Sequence, residues 1–214
     1  MQRRVVVISA GLGVPSSTRM LADQMSAQVQ AALAGQGVEV TLDVVDLRDH
    51  ATGIANTMVS GYAGPELAQV ISQVEAADAM IAVTPTFSAS YSGLFKSFFD
   101  VLEPKLLDGM PVLFGATGGS SRHSLVLDMA IRPLFSYLRA LTMPTAVYAS
   151  PQDWGGSGEN TLERRIAQGA AELAGHLGAG TAGAPGHHQK RAERLAREMT
   201  SLPFEELLAQ TRRR

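Results

Sequence analysis

None of the 214 residues is cysteine, which excludes disulfides, thiolate-bound metals, iron–sulfur clusters and a cysteine nucleophile. Excess charge is also lacking: 18 Lys and Arg against 20 Asp and Glu leave a formal net charge of −2. That balance gives no reason to expect nucleic acid or an anionic membrane as a partner. Long apolar runs are missing. Met1-Gln2-Arg3-Arg4 leads straight into Val5-Val6-Val7-Ile8, a stretch too short for a signal-peptide core or a membrane span but long enough for a buried strand. The expected location is therefore the cytoplasm. His50, His123, His176, His187 and His188 show no zinc-helix spacing, so no metal site is expected. No G-x-S-x-G elbow seeds a hydrolase triad.

What the chain does have is alternation. Val5–Ser9 reads as a first strand, Val38–Leu47 as a second, Ala79–Val83 as a third, Pro111–Gly115 as a fourth and Thr145–Ala149 as a fifth. Helical periodicity lies between them over about 16–33, 65–75, 94–102 and 123–141, and again over 159–177 after the fifth strand; residues 51–64 read as irregular. Parallel strands need helical crossovers, so this is an α/β chain with one five-stranded parallel sheet and helices on both faces. Only the second strand alternates apolar with polar residues, which marks it as an edge. Length and a hydrophobic content of 45 % fit one domain with a full core. We place that domain at 1–178, a Gly/Ala-rich flexible linker at 179–188, and a charged helical tail at 189–214. The tail reads as a partly disordered appendage in preference to an arm packed on a neighbouring subunit, because its apolar stripe is thin.

Three loops follow strands and carry the chemistry. The first, Ser9 to Arg19, gathers Ser16, Ser17 and Thr18 at the start of a helix, where free backbone amides and hydroxyls converge on an anion. Ser9, Gly11 and Arg19 complete that candidate site, although one of these hydroxyls alone would serve as an ordinary helix cap. Two rival phosphate motifs fail. Ser16 stands where G-x-G-x-x-G needs a third small residue, and no lysine precedes Lys96, so there is no P-loop. A monophosphate fits better than a pyrophosphate. The second loop offers Pro85, Thr86, Phe87, Ser88 and Ser90, a ring face among hydroxyls, with Phe87 and Tyr91 as core residues in the plainer reading. The third offers Thr117, Gly118, Gly119 and Ser120, where glycine lets a ring edge approach the backbone or simply makes a tight turn. In a doubly wound sheet of order 2-1-3-4-5, all three loops meet at the switch point that holds FMN in flavodoxin-like folds.

On these residues the chain resembles the NAD(P)H-dependent FMN reductases of flavodoxin-like fold, over about Val5 to Ala149. Ser9, Ser16, Ser17 and Thr18 match that family's phosphate loop. Pro85, Phe87, Ser90, Gly93, Lys96 and Asp100 match its P-x-Y-x-x-S-x-x-G-x-x-K-x-x-x-D run, with Phe87 in place of Tyr. Ala116 to Gly119 with His123, Asp128 and Pro133 look like the branch that supplies reduced flavin to sulfonate monooxygenases. The resemblance implies FMN and NADPH as cofactors, with NADH as the other donor, and dimers or tetramers that hand reduced FMN to a partner monooxygenase. Met129 stands where the alkanesulfonate branch carries Tyr. Pro133 lacks an N–H and would clash with the carbonyl of residue 129, so a kink or π-bulge is expected at Met129. Hydride transfer between a nicotinamide and a flavin needs positioning and no obligatory acid or base, so no residue is expected to be a chemical catalyst. The alternatives are an FMN-bound reductase of quinones, azo dyes or metal ions, and a flavodoxin-like electron carrier. The weak net charge speaks against the carrier.

Overall fold

The computed structural model describes residues 2–154 and 161–178, together with Ala192, Glu193 and Ala196. Its sheet is built around β1 (Gln2–Ser9), which pairs in parallel with β2 (Glu39–Asp46) on one side and β3 (Ala79–Phe87) on the other. β3 in turn pairs in parallel with β5 (Pro111–Thr117). A two-residue strand, β4 (Ser90–Tyr91), folds back antiparallel on the end of β3. The position beyond β5 is shared by two short strands, β6 (Leu141–Thr142) and β7 (Val147–Ala149), both parallel to β5. Counted by position the order is the expected 2-1-3-4-5. The fifth strand is split because the chain between its halves carries Pro144, which has no N–H to give to a ladder.

Alternate residues of each strand feed two cores. Val6, Ile8, Met80, Ala82, Val112 and Phe114 belong to one cluster; Val5, Val7, Ala79, Ile81, Val83 and Leu113 belong to the other. The second face is closed by α1 (Ser17–Ala34) and α6 (Thr161–Gly178), whose buried residues include Leu21, Met25, Ile166 and Leu173. The first is closed by α2 (Ala51–Ser60), α3 (Pro65–Ala76), α4 (Gly93–Asp100) and α5 (Arg132–Tyr137). β2 is the edge strand and is mostly half-exposed, as its alternation implies.

Two segments depart from the sequence reading. Residues 51–60, read as irregular, are helical. Thr52, Gly53, Thr57 and Val59 are poor helix formers, but Ile54 is fully buried and Gly61 ends the helix in the left-handed conformation, at φ 71°. Tertiary packing overrides propensity there. The helix expected over 123–141 is broken: a 3₁₀ turn (Ser121–His123), a π-helix (Leu127–Ile131) and then α5. The π-helix contains Met129, and the N–H of Arg132 reaches back five residues to the Leu127 carbonyl. Pro133 accounts for this distortion, as its missing donor required. The assigned linker, 179–188, lies outside the described residues, and so does the tail apart from Ala192, Glu193 and Ala196.

Candidate functional site

The carboxyl ends of β1, β3 and β5 lie side by side, and each leads into one of the three loops. Ser9, the last residue of β1, is fully buried, and its Oγ has no hydrogen-bond partner among the described residues. Beyond it the chain turns so tightly that a Cβ on Gly11 would lie 2.0 Å from Ser16 Oγ. Ser16 is the cap of α1: its Oγ accepts from the Arg19 amide at 3.2 Å, and its carbonyl accepts from the Met20 amide at 3.0 Å. The first-turn amides that this cap leaves for another acceptor are those of Ser17 and Thr18. Ser17 is exposed, Ser16 is half-buried and Thr18 is buried.

Thr18 ties the first loop to the third. Its Oγ1 lies 2.8 Å from Thr117 Oγ1 in a buried hydroxyl pair, so both residues are engaged with one another. Arg19, expected as a cation of this site, is engaged with two carboxylates. Its Nε donates to Asp23 at 2.8 Å and its Nη1 to Asp46 at the end of β2 at 2.5 Å. The Asp23 hydrogen bond raises its pKa, burial opposes this, and the Asp46 charge adds to the rise. A cleft of about 260 Å³ opens on the outer side of this loop, with Gly11, Ser16, Arg19, Asp46 and Arg48 in its walls.

The second loop is a hairpin rather than an irregular link. Phe87 pairs with Ser90, so Ser88 and Ala89 alone make the turn, with φ of 47° and 65°. Positive φ at both central positions is the type I′ arrangement, which favours Asn and Gly. Two non-glycine residues there store about 1 kcal/mol each. Ala89→Gly is accordingly expected to stabilise the protein by about 0.5–1 kcal/mol, read as a higher urea midpoint at unchanged slope; an unchanged midpoint would show that the turn is not strained. Phe87 is 47 % exposed at this hairpin, while Tyr91 packs 6.0 Å from Phe95. Of the two aromatics, Phe87 presents its ring to solvent and Tyr91 is half in the core. Thr86 Oγ1 is buried with no partner of hydrogen-bonding geometry among the described residues, although the Tyr148 phenol is close by.

In the third loop, Gly118 donates its amide to the Ala149 carbonyl at 3.1 Å, and Gly119 is exposed. Tyr148 sits beneath this loop and donates its phenol proton to the Ser120 carbonyl at 2.7 Å. The sequence reading missed Tyr148, taking it as one more apolar residue of the fifth strand. Its place at a strand's carboxyl end, in line with the three loops, was the available signal. Below it Asp153 accepts from the Ser150 hydroxyl and amide at 2.6 and 2.8 Å and from Arg165 at 3.1 Å. Burial alone would raise the Asp153 pKa, but these donors hold it below the ordinary carboxylate value.

These loops are a recognisable set. Residues 3–155 match the sequence profile of the NADPH-dependent FMN reductases. The chain belongs to that family. It is 38 % identical over 151 residues to an FMN reductase (NADPH) of Pseudomonas aeruginosa, covering 71 % of this chain and 78 % of the relative. An NADH-dependent FMN reductase, SfnF, of Pseudomonas putida is 37 % identical over 149 residues, covering 69 % and 77 %. Among solved structures, an oxidoreductase from Corynebacterium diphtheriae superposes with a TM-score of 0.81 at 42 % identity, covering 84 % of this chain and 99 % of that one. An apo NADH:FMN oxidoreductase superposes at 0.68 with 24 % identity, which speaks for the fold alone.

The arrangement fits the flavin of such an FMN reductase. The buried Ser9 hydroxyl, two first-turn amides and the tight turn at Gly11 are donors and space of the kind a phosphate would use. The Lys96 and Asp100 of the family run form an i,i+4 ion pair on α4, so they brace the helix behind the second loop.

Proposed function

We propose that the protein catalyses NAD(P)H-dependent reduction of FMN and passes the reduced flavin to a partner flavin-dependent monooxygenase. The observation that carries this reading is the tie between Thr18 and Thr117, which joins the phosphate-type loop after β1 to the glycine loop after β5 across the end of β3. On this reading FMN supplies the two-electron chemistry, and the chain's residues hold and orient it. Ser9, Ser16, Ser17 and Thr18 take the phosphate, with Gly11 making room. Pro85, Thr86, Phe87, Ser88 and Ser90 line one side of the ring, and Thr117, Gly118, Gly119 and Ser120 line the other. Arg19 holds the loop through Asp23 and Asp46 and does not itself neutralise the phosphate. No acid or base is required of the protein, because hydride transfer is governed by distance and orientation.

The relatives include donors of both kinds, NADPH and NADH. NADPH is the proposed donor here. Its extra phosphate needs a cation; Lys96 and Arg132 are held by Asp100 and Asp128, whereas Arg122 has no ion pair among the described residues. Such donors are cytoplasmic metabolites, which fits the expected location. No helix among the described residues is long and apolar enough to cross a membrane.

Steady-state oxidation of NADPH and NADH with added FMN tests the activity, with turnover expected for both and a lower KM for NADPH. No turnover with either donor would sink the reading. Retention of FMN through gel filtration with quinone preferred over free FMN would favour a quinone-type reductase, and bound FMN without NAD(P)H oxidation would favour a carrier.

The reading extends to assembly. Leu127, Ile131, Leu134 and Phe135 face the core, while Leu125, Met129 and Tyr137 on the same stretch are 63, 75 and 86 % exposed. A second copy of this chain suits that apolar surplus, and symmetric pairing is the commonest way to bury one. A homodimer or dimer of dimers is expected by light scattering at micromolar concentration. A 22.6 kDa species that still reduces FMN would contradict it.

A further inference from the structure

Tyr148 is the central residue of β7 and is 6 % exposed, yet its hydroxyl serves the loop after the neighbouring strand β5. Three observations meet at that one oxygen. It donates to the Ser120 carbonyl at 2.7 Å. It fills the space a side chain at 118 would need, since a Cβ on Gly118 would come within 2.1 Å of it and 3.2 Å of the ring carbon that bears it. It also lies beside Thr86, whose buried hydroxyl has no partner of good geometry. The main chain of Tyr148 is fixed from below by Arg165, which donates to its carbonyl at 3.0 Å and to Asp153 at 3.1 Å. So the phenol comes from a rigid strand and reaches both the end of β3, at Thr86, and the loop after β5, at Ser120.

We infer that Tyr148 is the positioning residue of the ring site: its hydroxyl sets the course of the Gly118–Gly119–Ser120 backbone and thereby the Gly119 and Ser120 amides that meet the flavin ring, the Gly118 amide being held by Ala149. The inference rests on the reading that these loops hold a flavin. Glycine at 118 is then explained by Tyr148, because the loop must pass directly over the phenol oxygen. A loop with two successive glycines has little conformational preference of its own, and the phenol supplies the missing constraint. The hydroxyl stays protonated across the neutral range, as burial, ahead of the Asp153 charge, raises its pKa and Thr86 lowers it only in part.

The test is Tyr148→Phe in the full chain, which keeps the ring and its packing and removes only the oxygen. Expected is a five- to tenfold weaker dissociation constant for FMN and for riboflavin alike, measured by flavin fluorescence quenching, with a matching rise in KM for FMN. Equal factors for the two ligands separate this role from phosphate binding, which riboflavin cannot report. A purely structural role would shift the unfolding midpoint and leave both dissociation constants unchanged. A loss for FMN alone would place the effect at the phosphate. Either result overturns the inference.

A second pair of variants uses the geometry directly. Gly118→Ala should weaken flavin binding severely beside Tyr148, but at least tenfold less so in the Tyr148→Phe background, where the 2.1 Å overlap is gone and only the 3.2 Å approach remains. The same loss in both backgrounds would show that the phenol and residue 118 do not compete for that space, and the inference would fall. Failure of the underlying reading looks different: the unaltered protein would bind no flavin and oxidise no NAD(P)H, which takes both down. Normal binding by the unaltered protein with no effect of Tyr148→Phe removes the positioning role alone.

Discussion

Gly11→Ala is expected to weaken FMN binding by about a hundredfold while changing riboflavin binding by less than about threefold. A methyl group at this position would sit 2.0 Å from Ser16 Oγ, far inside contact distance. Ser16 cannot yield cheaply, because its Oγ caps α1 through the Arg19 amide and losing a cap of this kind costs about 1 kcal/mol. The Ser17 and Thr18 amides sit directly behind that cap, and Ser9 Oγ lies two residues before Gly11. Displacing the turn therefore spoils two or more charge-assisted hydrogen bonds to a phosphate at once. At about 1.5–3 kcal/mol each, these account for the hundredfold figure. Riboflavin has no phosphate, and on the proposed reading its ring meets the second and third loops, so it acts as the internal control. Titrating both flavins into both proteins decides the matter. Equal losses would show that this turn does not hold the phosphate, and an unchanged FMN affinity would show that the cradle lies elsewhere.

The start of the helix after β1 was legible because its chemistry is local. Hydroxyls clustered at the start of a periodic segment announce a helix N-terminus, and Ser16 and Ser17 stand where that rule puts them. The sheet order was legible for a similar reason, since uniformly apolar strands alternating with helices leave few topologies. Even the distortion at Met129 followed from one residue, Pro133, because a missing N–H is a property of sequence alone. What stayed hidden depends on partners distant in sequence. The pairing of Arg19 was hidden because Asp46 is 27 residues away and meets it only once β2 lies beside β1. Tyr148 read as core because its hydroxyl's partner, Ser120, is 28 residues upstream. Residues 51–60 read as irregular because their helix is held by burial of Ile54 and not by their own propensity. The turn at Ser88 and Ala89 broke the rule that would have revealed it, since neither residue is the Asn or Gly that such a turn favours.

Phe135→Ala is expected to lower the unfolding free energy by about 3–5 kcal/mol, a large share of the roughly 5–15 kcal/mol available to a domain. Phe135 is fully buried on α5 and is the hub of a cluster of rings. It meets Phe99 at 5.1 Å and 84°, Phe95 at 6.2 Å and 89°, and Phe114 of β5 at 5.8 Å. The first two are edge-on, and such pairs add about 0.5–1.5 kcal/mol each beyond the area they bury; an alanine would forfeit both, lose the tilted contact with Phe114 and leave a void. The consequence reaches the site because of where the rings come from. α4, which carries Phe95 and Phe99, starts just after the hairpin of the second loop, and α5 follows the π-helix behind the third. Phe135 is thus a contact that locks the supports of the second and third loops together. Urea unfolding should show a lower midpoint at an unchanged slope. The folded fraction should show a raised KM for FMN, whereas Phe135→Leu, which refills most of the void, should recover more than half of both effects. A stability loss below about 1 kcal/mol would mean that the cluster relaxes around the cavity. A full loss of stability with an unchanged KM in the folded fraction would mean that the loops hold their geometry without the helices behind them.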